Sequence, residues 1–198
     1  LQALRVSDST LMSFTHAACE FSYRDSFFKR AKGQYIILSV RLRLSTQGAP
    51  KLTYPGLADG FTADQRHALS SAQLAKRVAE LRRSKLPDPE VTPNAGSFFH
   101  NPIVSADQES AIRAKYPDLV SYAQPDGGFK LAAAWLIDKA GLKGMRVDGV
   151  GVHAQQALVL VNPGKRSGEQ VLRFAATIAH QVEAMFGVRL VIEPQIYP

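Results

Sequence analysis

Apolar and polar positions alternate, then recur at helical spacing, along most of this 198-residue chain. Residues 35–44 alternate, which predicts a strand with Val40, Leu42 and Leu44 on one face and Arg41 and Arg43 on the other. Residues 45–60 form a glycine- and proline-bearing loop that holds Tyr54, long enough to bind a ligand or close over one. In residues 68–83, Leu74, Ala75, Val78 and Leu81 recur at helical spacing. The last turn of that helix carries Arg82, Arg83 and Lys85, cations suited to the negative end of a helix dipole. Prolines at 87, 89 and 93 end the helix and mark a domain boundary.

Further on, Ser105-Ala106-Asp107-Gln108 reads as a capping box opening a short helix that stops near Tyr116-Pro117. Asp126-Gly127-Gly128 is a tight turn. Residues 131–140 read as a compact helix terminated by Gly141, and residues 157–161 as a short apolar strand. Asn162-Pro163-Gly164 turns the chain. Ser167 with Gln170 then caps the longest helix, whose buried stripe is Val171, Phe174, Ala175, Ile178, Val182 and Met185 and whose end is Gly187. Residues 188–193 read as a closing strand, with Glu193 on the face opposite Leu190 and Ile192. Strands alternating with helices give an α+β (mixed α/β) fold class.

With 45% hydrophobic residues the chain can bury a core of one or two domains. No apolar run approaches the roughly 18 residues that a spanning helix needs, so no membrane partner is expected. No secretory leader pattern is visible, and the chain starts at Leu1 rather than Met, as a piece of a longer protein would. The one cysteine, Cys19, excludes an intrachain disulfide, fits a reducing cytoplasm and reads as a small buried hydrophobe. The net charge of +7 favours anionic partners. Its cations are scattered without interleaved aromatics, which disfavours nucleic acid. The five histidines are dispersed, without zinc-helix spacing or a second cysteine, so no metal site is expected.

The segment Asn94-Ala95-Gly96-Ser97-Phe98-Phe99-His100-Asn101-Pro102 carries the most chemical information. Gly96 permits backbone shapes closed to other residues, two phenylalanines can anchor the segment in a core, and Ser97 is then held at an edge. Asn101 before Pro102 is extended, with an amide able to bind a ligand. A turn between domains would use the same residues. No Gly-x-Ser-x-Gly surrounds Ser97, which disfavours acyl transfer.

This segment, Tyr23-Arg24-Asp25-Ser26-Phe27-Phe28-Lys29, Leu52-Thr53-Tyr54 and Lys85-Leu86-Pro87-Asp88-Pro89 stand together in the chain. Lys130-Leu131-Ala132-Ala133-Ala134-Trp135-Leu136-Ile137-Asp138, Gln155-Gln156-Ala157-Leu158-Val159-Leu160 and Glu193-Pro194 follow. In this order they resemble the UDP-N-acetylenolpyruvoylglucosamine reductase (MurB) family from about Cys19 to Glu193. The resemblance implies the C-terminal part of a PCMH/VAO-type FAD-binding domain in residues 1–86 and 188–198, and a separate α+β substrate-binding domain in residues 87–187. It implies NADPH-dependent, FAD-mediated reduction of UDP-N-acetylglucosamine enolpyruvate in cytoplasmic peptidoglycan synthesis.

The same resemblance makes Arg24, Ser97 and Glu193 the catalytic residues. Arg24 would meet the substrate carboxylate with a planar cation, Ser97 would protonate an enolate carbon, and Glu193 would join Arg24 at the intermediate. It nominates Tyr54, Lys85, Asn101, Tyr122 and Gln156 for the nucleotide-sugar, with Lys85 toward the diphosphate. Each has an ordinary alternative: Arg24 pairing with Asp25 or another acid, a solvated Glu193, half-buried tyrosines. His100 stands where relatives can carry lysine. Nothing before Tyr23 matches the family's Gly/Ser-rich segment that holds the flavin diphosphate, so the cofactor-binding residues are expected outside this chain. A nucleotide-sugar binding module without catalysis would keep Lys85, Asn101 and Gln156 but need neither Ser97 nor Glu193.

Overall fold

Residues 1–46, 50–54 and 56–197 are described by a computed structural model. The loop expected at 45–60 falls partly on residues 47–49 and 55, which lie outside the described residues. The chain divides into two compact units, Leu1–Ala49 and Pro50–Pro198. This packing division falls at a different place from the domain division at 86/87 and 187/188 read from the sequence.

In the first unit, β1 (Gln2–Arg5) lies between β2 (Thr10–Ser13) and β3 (Tyr35–Ser39), all antiparallel. Leu4 stands opposite Leu11 on one side and Ile36 on the other. The short α1 (Phe27–Arg30) starts at Ser26, whose hydroxyl accepts from the Lys29 N–H. Its Phe27 and Phe28 join Phe14 and Tyr35 in an aromatic cluster with ring centroids 4.9 to 5.8 Å apart. The strand expected through residue 44 stops at Ser39. A strand needs a ladder partner, and Ser39 already faces Gln2, the first residue of β1. Val40, Leu42 and Leu44 are consequently exposed. Cys19 is buried, as a small hydrophobe should be.

The second unit opens with α2 (Ala63–His67) and α3 (Ser71–Lys85), each begun by a complete capping box, Thr62 with Gln65 and Ser70 with Gln73. The helix expected at 68–83 therefore starts later and runs to Lys85. None of its residues is buried, so its apolar stripe is not a core face. The chain continues through β4 (Asn94–Ser97), β5 (Ile103–Val104), α4 (Ala106–Lys115), β6 (Ser121–Ala123) and β7 (Phe129–Leu131). Then come α5 (Ala133–Lys139), β8 (Arg146–Val147), β9 (Val150–Val152), β10 (Val159–Val161) and α6 (Gly168–Phe186). They form two antiparallel sheets, ordered β4-β10-β9-β8 and β5-β7-β6.

The core of this unit joins Phe98, Phe99, Leu136, Ile137, Val152 and Leu160 to the inner face of α6. That face is Phe174, Ala175, Ile178, Val182 and Phe186. Met185, expected in the stripe, is exposed, because Phe186 continues the four-residue step from Ile178 and Val182. Leu131 and Ala132 were expected in α5. Leu131 instead belongs to β7, with its N–H on the Pro102 carbonyl at 2.9 Å. Gly187 ends α6 with φ +66°, as expected. The Gln108 half of the expected capping box is diverted: its amide donates to the Gly187 carbonyl at 2.8 Å, tying the start of α4 to the end of α6.

The closing strand at 188–193 reduces to a bridge between Phe99 and Ile192. Val188 and Leu190 lie in the core of the second unit, so the chain makes no packing break at residue 187. Elsewhere, the loops around Gly149 and Gly164 meet backbone to backbone. A Cβ built on Gly164 would lie 2.8 Å from the Gly149 Cα. Among the described residues no helix is long and apolar enough to cross a membrane.

Candidate functional site

Ser97 ends β4, paired with Val159 of β10. Gly96 before it has φ +73°, a conformation that side-chain-bearing residues rarely adopt. Phe98 and Phe99 after it are buried, with ring centroids 5.6 Å apart. The serine itself is exposed. Its sequence context thus acts as expected: two anchored rings fix the backbone, and the hydroxyl is presented at the sheet edge.

That hydroxyl faces a cavity of about 520 Å³ within the second unit, a volume suited to a small-molecule ligand. Tyr54, Lys85 and Gln156 line it with Ser97, so four of the sequence-nominated residues share one space. Leu57, Val78, Leu81 and Leu86 supply an apolar wall. Val78 and Leu81 of the α3 stripe are therefore part of a cavity wall. Lys85 Nζ lies 5.3 Å from the centroid of the Tyr54 ring, within cation–π range.

Tyr54 is placed by contacts that the sequence did not announce. Arg77 of α3 donates from Nη2 to the carbonyls of Gly56 (3.0 Å) and Asp59 (3.3 Å). Leu57 is buried, and its N–H bonds the Tyr54 carbonyl at 3.0 Å. The loop is thus pinned to the helix one turn beyond Tyr54. No local signal marks Arg77, because one arginine among five cations of a surface helix has no distinguishing pattern.

Arg82 is the second residue that pattern reading did not single out, having been explained by the helix dipole. It lines the first cavity and also an adjoining one of about 460 Å³, with Arg83, Asp88, Asn94 and Gly96. Earlier in α3, Lys76 and Arg77 each lie 4.0 Å from Glu80. Among the described residues, Arg82, Arg83 and Lys85 form no ion pair. Three cations in no ion pair, beside two adjoining cavities whose lining includes one carboxylate, Asp88, leave a net positive environment suited to an anionic ligand.

Asn101, Tyr122 and Glu193 belong to the same unit but do not line the Ser97 cavity. Asn101 Oδ1 accepts from the Ala133 N–H at 2.9 Å, capping α5 from outside because Ala132 offers no capping side chain. Its acceptor serves the fold, and its amide group remains as a donor. Tyr122 on β6 is opposite Lys130 of β7, whose Nζ is 5.9 Å from the ring centroid. Neither Asn101 nor Tyr122 lines the cavity holding Ser97. Glu193 is half-buried; its N–H donates to the Phe98 carbonyl at 2.9 Å, which sets it beside the residue following Ser97.

Arg24 belongs to the first unit. It occupies a tight turn closed by paired bonds between Ser22 and Asp25, at φ +57°. Asp25 is bonded to Arg30, and the Ser26 N–H with that guanidinium holds its carboxyl below the usual range. The Arg24 guanidinium lies 6.0 Å from the Tyr23 ring centroid. Among the described residues no cluster of His, Cys, Asp and Glu could hold a metal ion.

Residues 88–197 match the family model for the C-terminal domain of UDP-N-acetylenolpyruvoylglucosamine reductase. The chain is 47% identical over 197 residues to the enzyme of that name from Pseudomonas aeruginosa, covering all of this chain and 58% of the relative. It is 48% identical to the one from Cupriavidus pinatubonensis, covering 98% of this chain and 58% of the relative. Among solved structures it resembles that of UDP-N-acetylenolpyruvylglucosamine reductase from Thermus caldophilus, with a TM-score of 0.57 at 20% identity. That match covers all of this chain and 52% of the other. The chain spans a little over half the length of these relatives.

Proposed function

Since the chain belongs to the UDP-N-acetylenolpyruvoylglucosamine reductase family, we propose that it forms the substrate-handling part of an enzyme reducing UDP-N-acetylglucosamine enolpyruvate to UDP-N-acetylmuramate. The observation that carries this reading is the cavity where Ser97 stands with Tyr54, Lys85 and Gln156. In the same reading residues 1–86 and 188–198 derive from a PCMH/VAO-type flavin domain, and residues 87–187 from the substrate domain. The reaction is a cytoplasmic step of peptidoglycan synthesis, with FAD and NADPH as the hydride source.

The start of α6 does not fit the flavin diphosphate. The transition from β10 to α6 has glycines ahead of a helix, the usual form of a phosphate cradle. Here Gly164 is spent on close packing against Gly149, and the Ser167 and Gln170 capping box occupies the helix start. We therefore assign no residue of this chain to FAD.

What this chain contributes is recognition, charge and a proton. Lys85, with Arg82 beside it, meets the diphosphate, and Tyr54 offers a ring and a hydroxyl over the apolar wall. Gln156 offers an amide to the sugar. Asn101 and Tyr122 complete substrate recognition in this reading. As the double bond is reduced, negative charge spreads from the carbon bearing the ether oxygen into the carboxylate. Arg24 stabilises that charge, and Glu193 hydrogen-bonds to the intermediate. Ser97 then gives its hydroxyl proton to that carbon. A serine is a weak acid, and an enolate carbon is basic enough to take its proton.

Ser97→Ala in the intact protein is the test. Turnover is expected to fall by roughly 100-fold or more while the KM for the nucleotide-sugar changes little. Unimpaired turnover would remove Ser97 as donor, and an absence of turnover in the parent protein would leave nucleotide-sugar binding as the function. FAD titrated into this chain alone is expected to show no uptake.

A further inference from the structure

His100 has no part in the reading above, yet its surroundings are specific. Its N–H donates to the Val191 carbonyl at 2.9 Å, and the Glu193 N–H donates to the Phe98 carbonyl at 2.9 Å. These two bonds flank the antiparallel bridge of Phe99 and Ile192. Side chains alternate across paired extended segments, so His100 and Glu193 share a face and meet on its diagonal. His100 Nδ1 lies 3.8 Å from Glu193 Oε2, and the two side chains are only 23% and 24% exposed. Nδ1 is itself shielded from solvent and makes no hydrogen bond.

A buried polar nitrogen left unbonded is costly, and such groups in folded proteins ordinarily have a partner or a role. The nearby carboxyl is slightly too far for a bond, which requires about 2.7–3.2 Å. A displacement of under about 1 Å would close that gap. Both backbones are pinned by the flanking bonds, so a rotation of the Glu193 side chain is the simplest way to close it.

We propose that His100 is a positioning residue for Glu193, its Nδ1 sharing a proton with the carboxyl and holding it toward the reacting centre. The inference rests on the reductase reading, because it presumes that Glu193 acts at the intermediate. An imidazole can serve either proton arrangement: Nδ1–H donates to a carboxylate, and a bare Nδ1 accepts from a carboxylic acid. Apolar replacements of similar shape cannot do either.

The test compares His100→Phe, which keeps a flat ring, with His100→Asn, which keeps a polar atom near the Nδ1 position, in the intact enzyme. His100→Phe is expected to lower kcat about ten-fold with KM within about two-fold, and His100→Asn to recover most of that loss. In a Glu193→Gln background His100→Phe should cost less than about two-fold further. A silent His100→Phe, or a loss that persists undiminished in the Glu193→Gln background, overturns the proposal. If thermal melting shows that His100→Phe does not fold, His100→Gln replaces it, with the amide moved toward the Nε2 position, and must be the poorer of the two amides. Parental turnover in Glu193→Gln would sink the role of Glu193 itself; an impaired Glu193→Gln beside a silent His100 variant sinks only the positioning role.

Discussion

The two compact units use their apolar residues in opposite ways. In the second, α6 and the β4-β10-β9-β8 sheet enclose a continuous core whose central side chains, among them Leu136, Ile137 and Ile178, are completely buried. In the first, Ile36, Ile37 and Leu38 of β3 are all about half exposed, and burial is confined to small residues such as Ala3, Cys19 and Ala31. Among the described residues of that unit, few large side chains cover this sheet. The difference teaches that an apolar side chain joins a core only where a second layer covers it.

Trp135 is the one tryptophan, and it packs against the core of the second unit, so its fluorescence follows that unit. Ile178→Ala should produce the largest effect, lowering stability in urea by about 2–5 kcal/mol through lost contacts and a cavity. A loss well below that would mean the core is looser than its burial implies.

Glu109 comes next. Its buried carboxylate accepts from Arg113 at 2.6 and 2.8 Å and from Ser121 Oγ at 2.7 Å, tying α4 to β6. The Arg113 bonds and then the Ser121 bond hold its carboxyl below the usual range. Because the folded value is the lower one, this stabilisation is complete above the unfolded glutamate value of about 4.3 and is lost as pH falls through the folded value. Glu109→Gln should cost about 1–3 kcal/mol at pH 7 and flatten the acid side of the urea-midpoint profile. An unchanged acid slope would exclude this group as its source.

Asn101→Ala should cost about 1 kcal/mol through the lost cap on α5, detected by the same fluorescence. Ile37→Thr, on the uncovered sheet, should shift stability by no more than about 0.5 kcal/mol when unfolding is followed by far-UV circular dichroism. A loss of core size there would erase the contrast between the units.

Local chemistry was the legible part of the chain. The run from Asn94 to Pro102 specified its own behaviour, since adjacent phenylalanines and a glycine fix a short backbone without distant help. The α6 helix was legible for the same reason, with its cap, stripe and terminator all written locally. Residues 40–44 misled because alternation reports a strand's faces and carries nothing about its partner. The stripe of α3 gave the helix and not what it faces, because an apolar helix face looks the same whether it meets a core or a cavity. The roles of Arg77, Arg82 and His100 were illegible because each depends on a residue brought near only by folding: Gly56, Gly96 and Glu193 respectively.

The contact of Gly149 with Gly164 has a consequence for how this chain can change. The turn between β8 and β9 and the approach to α6 are interlocked at a distance that leaves no room for a methyl group. Neither loop can be lengthened, grafted or given a side chain there independently of the other. A change at one glycine is therefore coupled to the other loop, whereas the bonds that fasten Gly56 and Asp59 to Arg77 run through carbonyls, which every residue type supplies.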